Sequence, residues 1–211
     1  MELLDPVEVR VLGALVEKEA TTPEHYPLSL NALVNACNQK SNRHPVVDYD
    51  DDTVSDAVDR LREKRLAVVL VGSGRVTKYS QRVSETLNLG RRELAVLCTL
   101  LLRGAQTLGE IKDRSERMFA FADLDETARA LEKLAEWPDG ALVRKLARQP
   151  GQKEARYAHL LAGEPEADAE TPVAAVAQPS KLAVLEQEVR ELRSEVSELK
   201  RRLDDLDAQL R

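Results

Sequence analysis

One short architecture is written twice along this 211-residue chain. The segment EVRVLGAL (8–15) aligns with ELAVLCTL (93–100) at an offset of 85 residues, and TVSDAVDRL (53–61) aligns with ETARALEKL (126–134) at 73. Each copy then runs into a short apolar strand, a Gly-containing turn and a second strand, ending near Lys78-Tyr79 or Arg156-Tyr157. A repeat of this kind is one supersecondary unit used twice. Helix, helix, helix and hairpin, in that order, is the plan of a winged helix. The expected fold class is therefore α+β, mainly helical with small β-hairpins. Residues 1–85 form one winged-helix domain and 86–161 a second.

Local signals place the elements. Asp5, Pro6 and Glu8 make a capping box with Pro at the first helical position, and Val9, Leu12, Leu15 and Val16 form the stripe behind it. Ser29 caps a second helix with Leu30, Leu33, Val34 and Cys37 inward; Asp50 to Asp52 open a third with Val54, Ala57, Val58 and Leu61 inward. AVVLV (67–71), Gly72-Ser73-Gly74 and VTKYSQR make the first wing. In the second copy Gly104 ends the first helix, while Thr107 with Glu110 and Asp123 with Glu126 predict capping boxes for the next two. LVRKLAR, the Pro150-Gly151 turn and EARYAHL form the second wing, and Met118, Phe119 and Phe121 belong to the core.

The last fifty residues have a different character. Residues 162–179 are rich in Ala, Glu and Pro with almost no large apolar groups, which predicts a disordered linker. From there a heptad runs without a break. Leu182, Val189, Val196, Leu203 and Leu210 occupy a, and Leu185, Leu192, Leu199 and Leu206 occupy d. In a parallel pair the g-to-e contacts Lys181–Glu186, Glu188–Arg193, Glu195–Lys200 and Arg202–Asp207 are all attractive. Residues 180–211 are therefore expected to form a parallel coiled coil that makes the protein a homodimer.

The net charge of −6 divides as −3 over 1–85, +2 over 86–161 and −5 over 162–211. Such acidity argues against coating nucleic acid non-specifically, but it leaves room for local basic faces. The expected contacts to double-stranded DNA are Lys40 and Arg43 in the NQKSNRH loop, Arg75 and Lys78 in the first wing, and Arg148 and Lys153 in the second. The third helices oppose this, since Asp56 and Asp59 in one and Asp125, Glu132 and Glu136 in the other face outward. An alternative is an adaptor that binds a protein partner without touching DNA.

No catalytic set assembles. His25, His44 and His159 lie in separate segments, Cys37 and Cys98 fall on apolar helical positions, and no phosphate loop or metal-ligand spacing occurs. No catalytic, cofactor or metal site is expected, and the chain reads as non-enzymatic. The start, MELLDPVE, lacks a signal-peptide pattern, and the apolar run 94–102 is too short to span a bilayer. A cytoplasmic protein without membrane contact is the expectation.

The segments LVEKEATTPEHYPLSLNALVNACNQKSNRHPV, VTKYSQR, TLLLRGAQTLGEIKDRS and LARQPGQKEARYAHLL resemble those of the YceH-like family of bacterial proteins. The similarity covers nearly all of 5–161, is most specific in ACNQKSNRHPV and LLLRGAQT, and extends to the heptad tail. The resemblance implies two winged-helix domains and a DNA-binding-like fold. It implies no settled biochemical activity.

Overall fold

The computed structural model describes residues 2–71, 76–148, 152 and 154–165. The heptad segment, most of the linker, Arg75, Lys153 and both hairpin turns lie outside the described residues. What is described is α+β: helices α1 (Pro6–Thr21), α2 (Leu30–Cys37), α3 (Asp51–Glu63), the single turn α4 (Val83–Thr86), α5 (Arg91–Arg103), α6 (Leu108–Ser115) and α7 (Leu124–Ala135), with short strands between them.

The helices begin where their caps predict. Asp5 accepts the Val7 and Glu8 N–H groups at 2.8 and 2.9 Å, while Glu8 accepts the Asp5 N–H at 2.7 Å. Ser29 caps α2, Asp50 caps α3 and Thr107 with Glu110 closes a box on α6. These bonds occupy N–H groups that a helix cannot satisfy internally. One cap differs from its prediction. Asp123 accepts the Glu126 N–H, but the Glu126 carboxylate reaches back to Ala122, one residue beyond the cap. At the far end of α5, Gly104 turns the chain at φ 72°, a conformation that suits a residue without Cβ.

Strand β1 (Ala67–Leu70) pairs antiparallel with β2 (Lys78–Gln81), and Leu28 bridges the other side of β2 at Tyr79. The second sheet repeats this order as three strands. β5 (Arg156–His159) lies between β4 (Val143–Lys145) and β3 (Gln106–Thr107). In each half the last strand is central, and the residues just before the second helix supply its inner neighbour.

Residues through Pro165 form one compact unit, because the two first helices pack on each other. Leu12 and Leu15 of α1 and Leu97 and Leu100 of α5 are fully buried, each contributing on the order of 1.5–3 kcal/mol. Gly13 makes the close approach possible, since a Cβ at that position would lie 2.8 Å from Leu102 Cδ2. The Cys98 thiol donates to the Gly13 carbonyl at 3.3 Å, the Leu4 N–H to Leu161 O at 2.8 Å and the His44 N–H to Leu102 O at 2.9 Å. One continuous apolar cluster therefore runs from Leu4 to Leu161.

The repeat also carries an ion pair. Glu8, buried at the start of α1, meets Arg60 of α3 at 3.7 Å and Lys64 at 2.6 Å. Glu93, at the matching place in α5, meets Lys133 of α7 at 2.8 Å. The offsets of 85 and 73 carry Glu8 and Arg60 onto Glu93 and Lys133. Both halves thus tie the first helix to the third at the same point.

Candidate nucleic-acid interface

The NQKSNRH loop (38–44) leaves α2 and folds back over the junction of the two halves. Asn38 holds its far end by a pair of bonds with the Tyr49 backbone, at 2.7 and 2.9 Å. Asn42 takes a left-handed φ of 61° and accepts a hydrogen bond from Arg103 of α5. Lys40 and His44 are exposed along this loop.

Arg43 is not. Its side chain is fully buried, with Nη1 and Nη2 on the Glu17 carboxylate at 3.1 and 2.6 Å and Nε on the Ala36 carbonyl at 3.1 Å. Every direction that would serve a phosphate is occupied by the protein itself. The expectation of a DNA contact at Arg43 is therefore corrected: the residue is an internal clamp between α1 and the end of α2. A loop rich in polar residues gives no sign in sequence of which cation turns inward.

Arg10 lies beside it. Its guanidinium donates to Cys37 O at 3.0 Å and Pro45 O at 2.5 Å, closing the end of α2 onto the loop. Burial, followed by the neighbouring Arg43 charge, pulls its pKa below the usual guanidinium value. Burial, followed by Arg114, does the same to Arg103. The Cys37 thiol is pushed up to about 12 by burial and that of Cys98 is also raised, so neither is a ready nucleophile or metal ligand. Among the described residues no group of three or more His, Cys, Asp or Glu is placed to hold a metal ion. No described helix is long and apolar enough to cross a membrane.

On the hairpins, Lys78 is half-buried on β2 opposite Leu70, and Arg148 is exposed beyond β4. Arg144 pairs with Glu164, while Lys145 lies over the Tyr157 ring at 5.8 Å. The third helices present carboxylates. Asp51, Asp52, Asp56 and Asp59 of α3 are exposed, with Asp59 held by Arg62 at 2.7 Å; Asp125, Glu132 and Glu136 at or near α7 are exposed as well. Of the expected DNA contacts among the described residues, Lys40 and Arg148 are exposed and Lys78 is half-buried.

A family profile described as "Protein of unknown function, DUF480" matches residues 4–152, from the start of α1 to a point just short of β5. The chain belongs to this family. A UPF0502 protein of Solibacter usitatus is 51% identical over 205 residues, 95% of this chain and 98% of that protein. One from Pelobacter propionicus is 52% identical over 98% of both chains. The UPF0502 protein YceH of Escherichia fergusonii is 47% identical over 96% of this chain and 95% of its own. The similarity to DUF480 relatives therefore runs through the buried loop of Arg43 and on into the heptad segment.

Proposed function

We propose that the protein is a non-enzymatic tandem winged-helix dimer that associates with duplex DNA through its wings and the Lys40 loop. The observation that carries this reading is the division of surface charge. Arg148 and Lys145 are exposed on the second hairpin, whereas the outward faces of α3 and α7 bear carboxylates. A duplex would therefore be held by phosphate contacts from Lys40, Arg75, Lys78, Arg148 and Lys153, with the third helices turned away. Such contacts position a protein without reading bases and release counterions, so affinity falls steeply with salt.

A second reading is favoured by the exposed aspartates of α3, which suit a basic protein surface in an adaptor without direct DNA binding. Duplex binding measured across a salt series separates the two. Reversing Arg75 and Lys78 to Glu is expected to weaken binding on all sequences, and Asp56→Asn with Asp59→Asn to strengthen it by relieving repulsion. Absence of binding at low salt, or indifference to the wing reversals, rejects the DNA reading in favour of the adaptor.

A further inference from the structure

The outer edge of β1 has the backbone of a strand awaiting a neighbour. Tyr79 exchanges both of its backbone hydrogen bonds with Leu28, at 3.0 and 2.8 Å, so its N–H and C=O point away from β1. Val69 stands opposite Tyr79 in the register. In an antiparallel ladder such a pair exchanges no bonds, and the N–H and C=O of Val69 must point outward. Alternation gives Ala67 and Val71 the same direction, while Val68 and Leu70 bond to Ser80 and Lys78.

The side chains along this edge carry no charge. Leu70 is 45% exposed and Val71 83% exposed, and Val76 on the returning arm is 59% exposed. The equivalent edge of the second sheet is defended, because β4 carries exposed Arg144 and Lys145. Cations on an edge strand discourage pairing; an uncharged β-branched edge invites it.

We propose that this edge pairs antiparallel with the same edge of a second copy of the chain, centred on Val69. Backbone parity admits only every second register, because outward groups must meet outward groups. Of these, the one that overlaps 67–71 in full sets Val69 against Val69 of the second copy and Ala67 against its Val71. Leu70 then lies beside Val68 of the second copy, and both exposed residues gain apolar cover. No like charges oppose one another anywhere along the strand, which makes a second copy the best-matched occupant. The two hairpins become one four-stranded sheet, with the two β1 strands inside and β2, which carries Lys78, flanking them on either side. Nothing in this pairing depends on DNA, and it stands or falls separately from the wing reversals above.

The test uses the full-length protein in two ways. Hydrogen exchange on the unmodified chain at high concentration is expected to show the Val69 amide protected along with Val68 and Leu70. In Val71→Lys the Val69 protection should be lost while Val68 and Leu70, bonded within the hairpin, keep theirs. A nitroxide on Val71→Cys gives the second readout, the native Cys37 and Cys98 being buried. The antiparallel register places the two labelled Cα atoms about 14 Å apart, from four residues of strand rise and one interstrand spacing, well within range of dipolar coupling between their nitroxides. That coupling should vanish when labelled chain is mixed into an excess of unlabelled chain. Rapid exchange of Val69 in the unmodified protein overturns the proposal. So does Val69 protection that survives Val71→Lys, or a coupling indifferent to unlabelled chain, since either places the cover within one copy.

Discussion

Arg43 shows how a residue can be legible in type and illegible in direction. Its loop reads as polar and basic, yet the guanidinium is the inner half of a buried pair with Glu17. Removing one partner of such a pair strands the other charge in the interior. Arg43→Ala is expected to lower stability by about 3–5 kcal/mol in denaturant titrations, and to leave any DNA affinity of the folded fraction unchanged. His159 offers a pH-dependent counterpart. Burial lowers its pKa to about 4, and among the described residues its Nδ1 has no hydrogen-bond partner. The unfolded chain, with an ordinary histidine pKa near 6.5, binds the proton more readily. Its contribution is therefore fully present above pH ~6.5 and is lost as pH falls towards ~4. Thermal midpoints should decline across that window, and His159→Leu should flatten the decline; an unchanged slope in the variant would assign it to other groups.

At the scale of elements, the signals that were readable are those with a fixed chemical grammar. Asp5, Ser29, Asp50, Thr107 and Asp123 all cap the helices they were expected to cap, since an orphan N–H wants a side-chain oxygen whatever the tertiary setting. The inner strands at Leu28 and at Gln106-Thr107 were not readable, being too short to show alternation. The role of Gly13 was equally silent, because close helix approach leaves no local pattern. The repeat did hold one unread signal. The paired offsets align Glu8–Arg60 with Glu93–Lys133, and a search for opposite charges moving together would have found the tie between first and third helices. Gly13→Val is expected to cost about 1–3 kcal/mol and to lower the denaturant midpoint, because its branched carbon must displace Leu101 and Leu102. An unchanged midpoint would mean the α1–α5 contact relaxes freely.

For the whole molecule, the heptad predicts its own measurement. Light scattering of the full chain should report twice the 23.5 kDa chain mass. Leu199→Asp, which places a charge at a central d position, should shift that mass towards monomer because the carboxylate loses water without gaining a partner. A monomer in the unaltered chain would sink the coiled-coil expectation. Limited proteolysis should leave a resistant fragment ending near Pro165, since Leu161 and Glu164 are still bonded to the folded body. Within that body, the contact between α1 and α5 has a further meaning. Gly13 and Cys98 are aligned positions of the repeat, and they touch each other. A position meeting its own counterpart is the mark of an isologous contact around a twofold axis. The chain thus contains, between its own halves, the interface that two separate single modules would form only by mass action. Covalent linkage removes the entropic penalty of that encounter, so the paired arrangement persists however scarce the protein becomes.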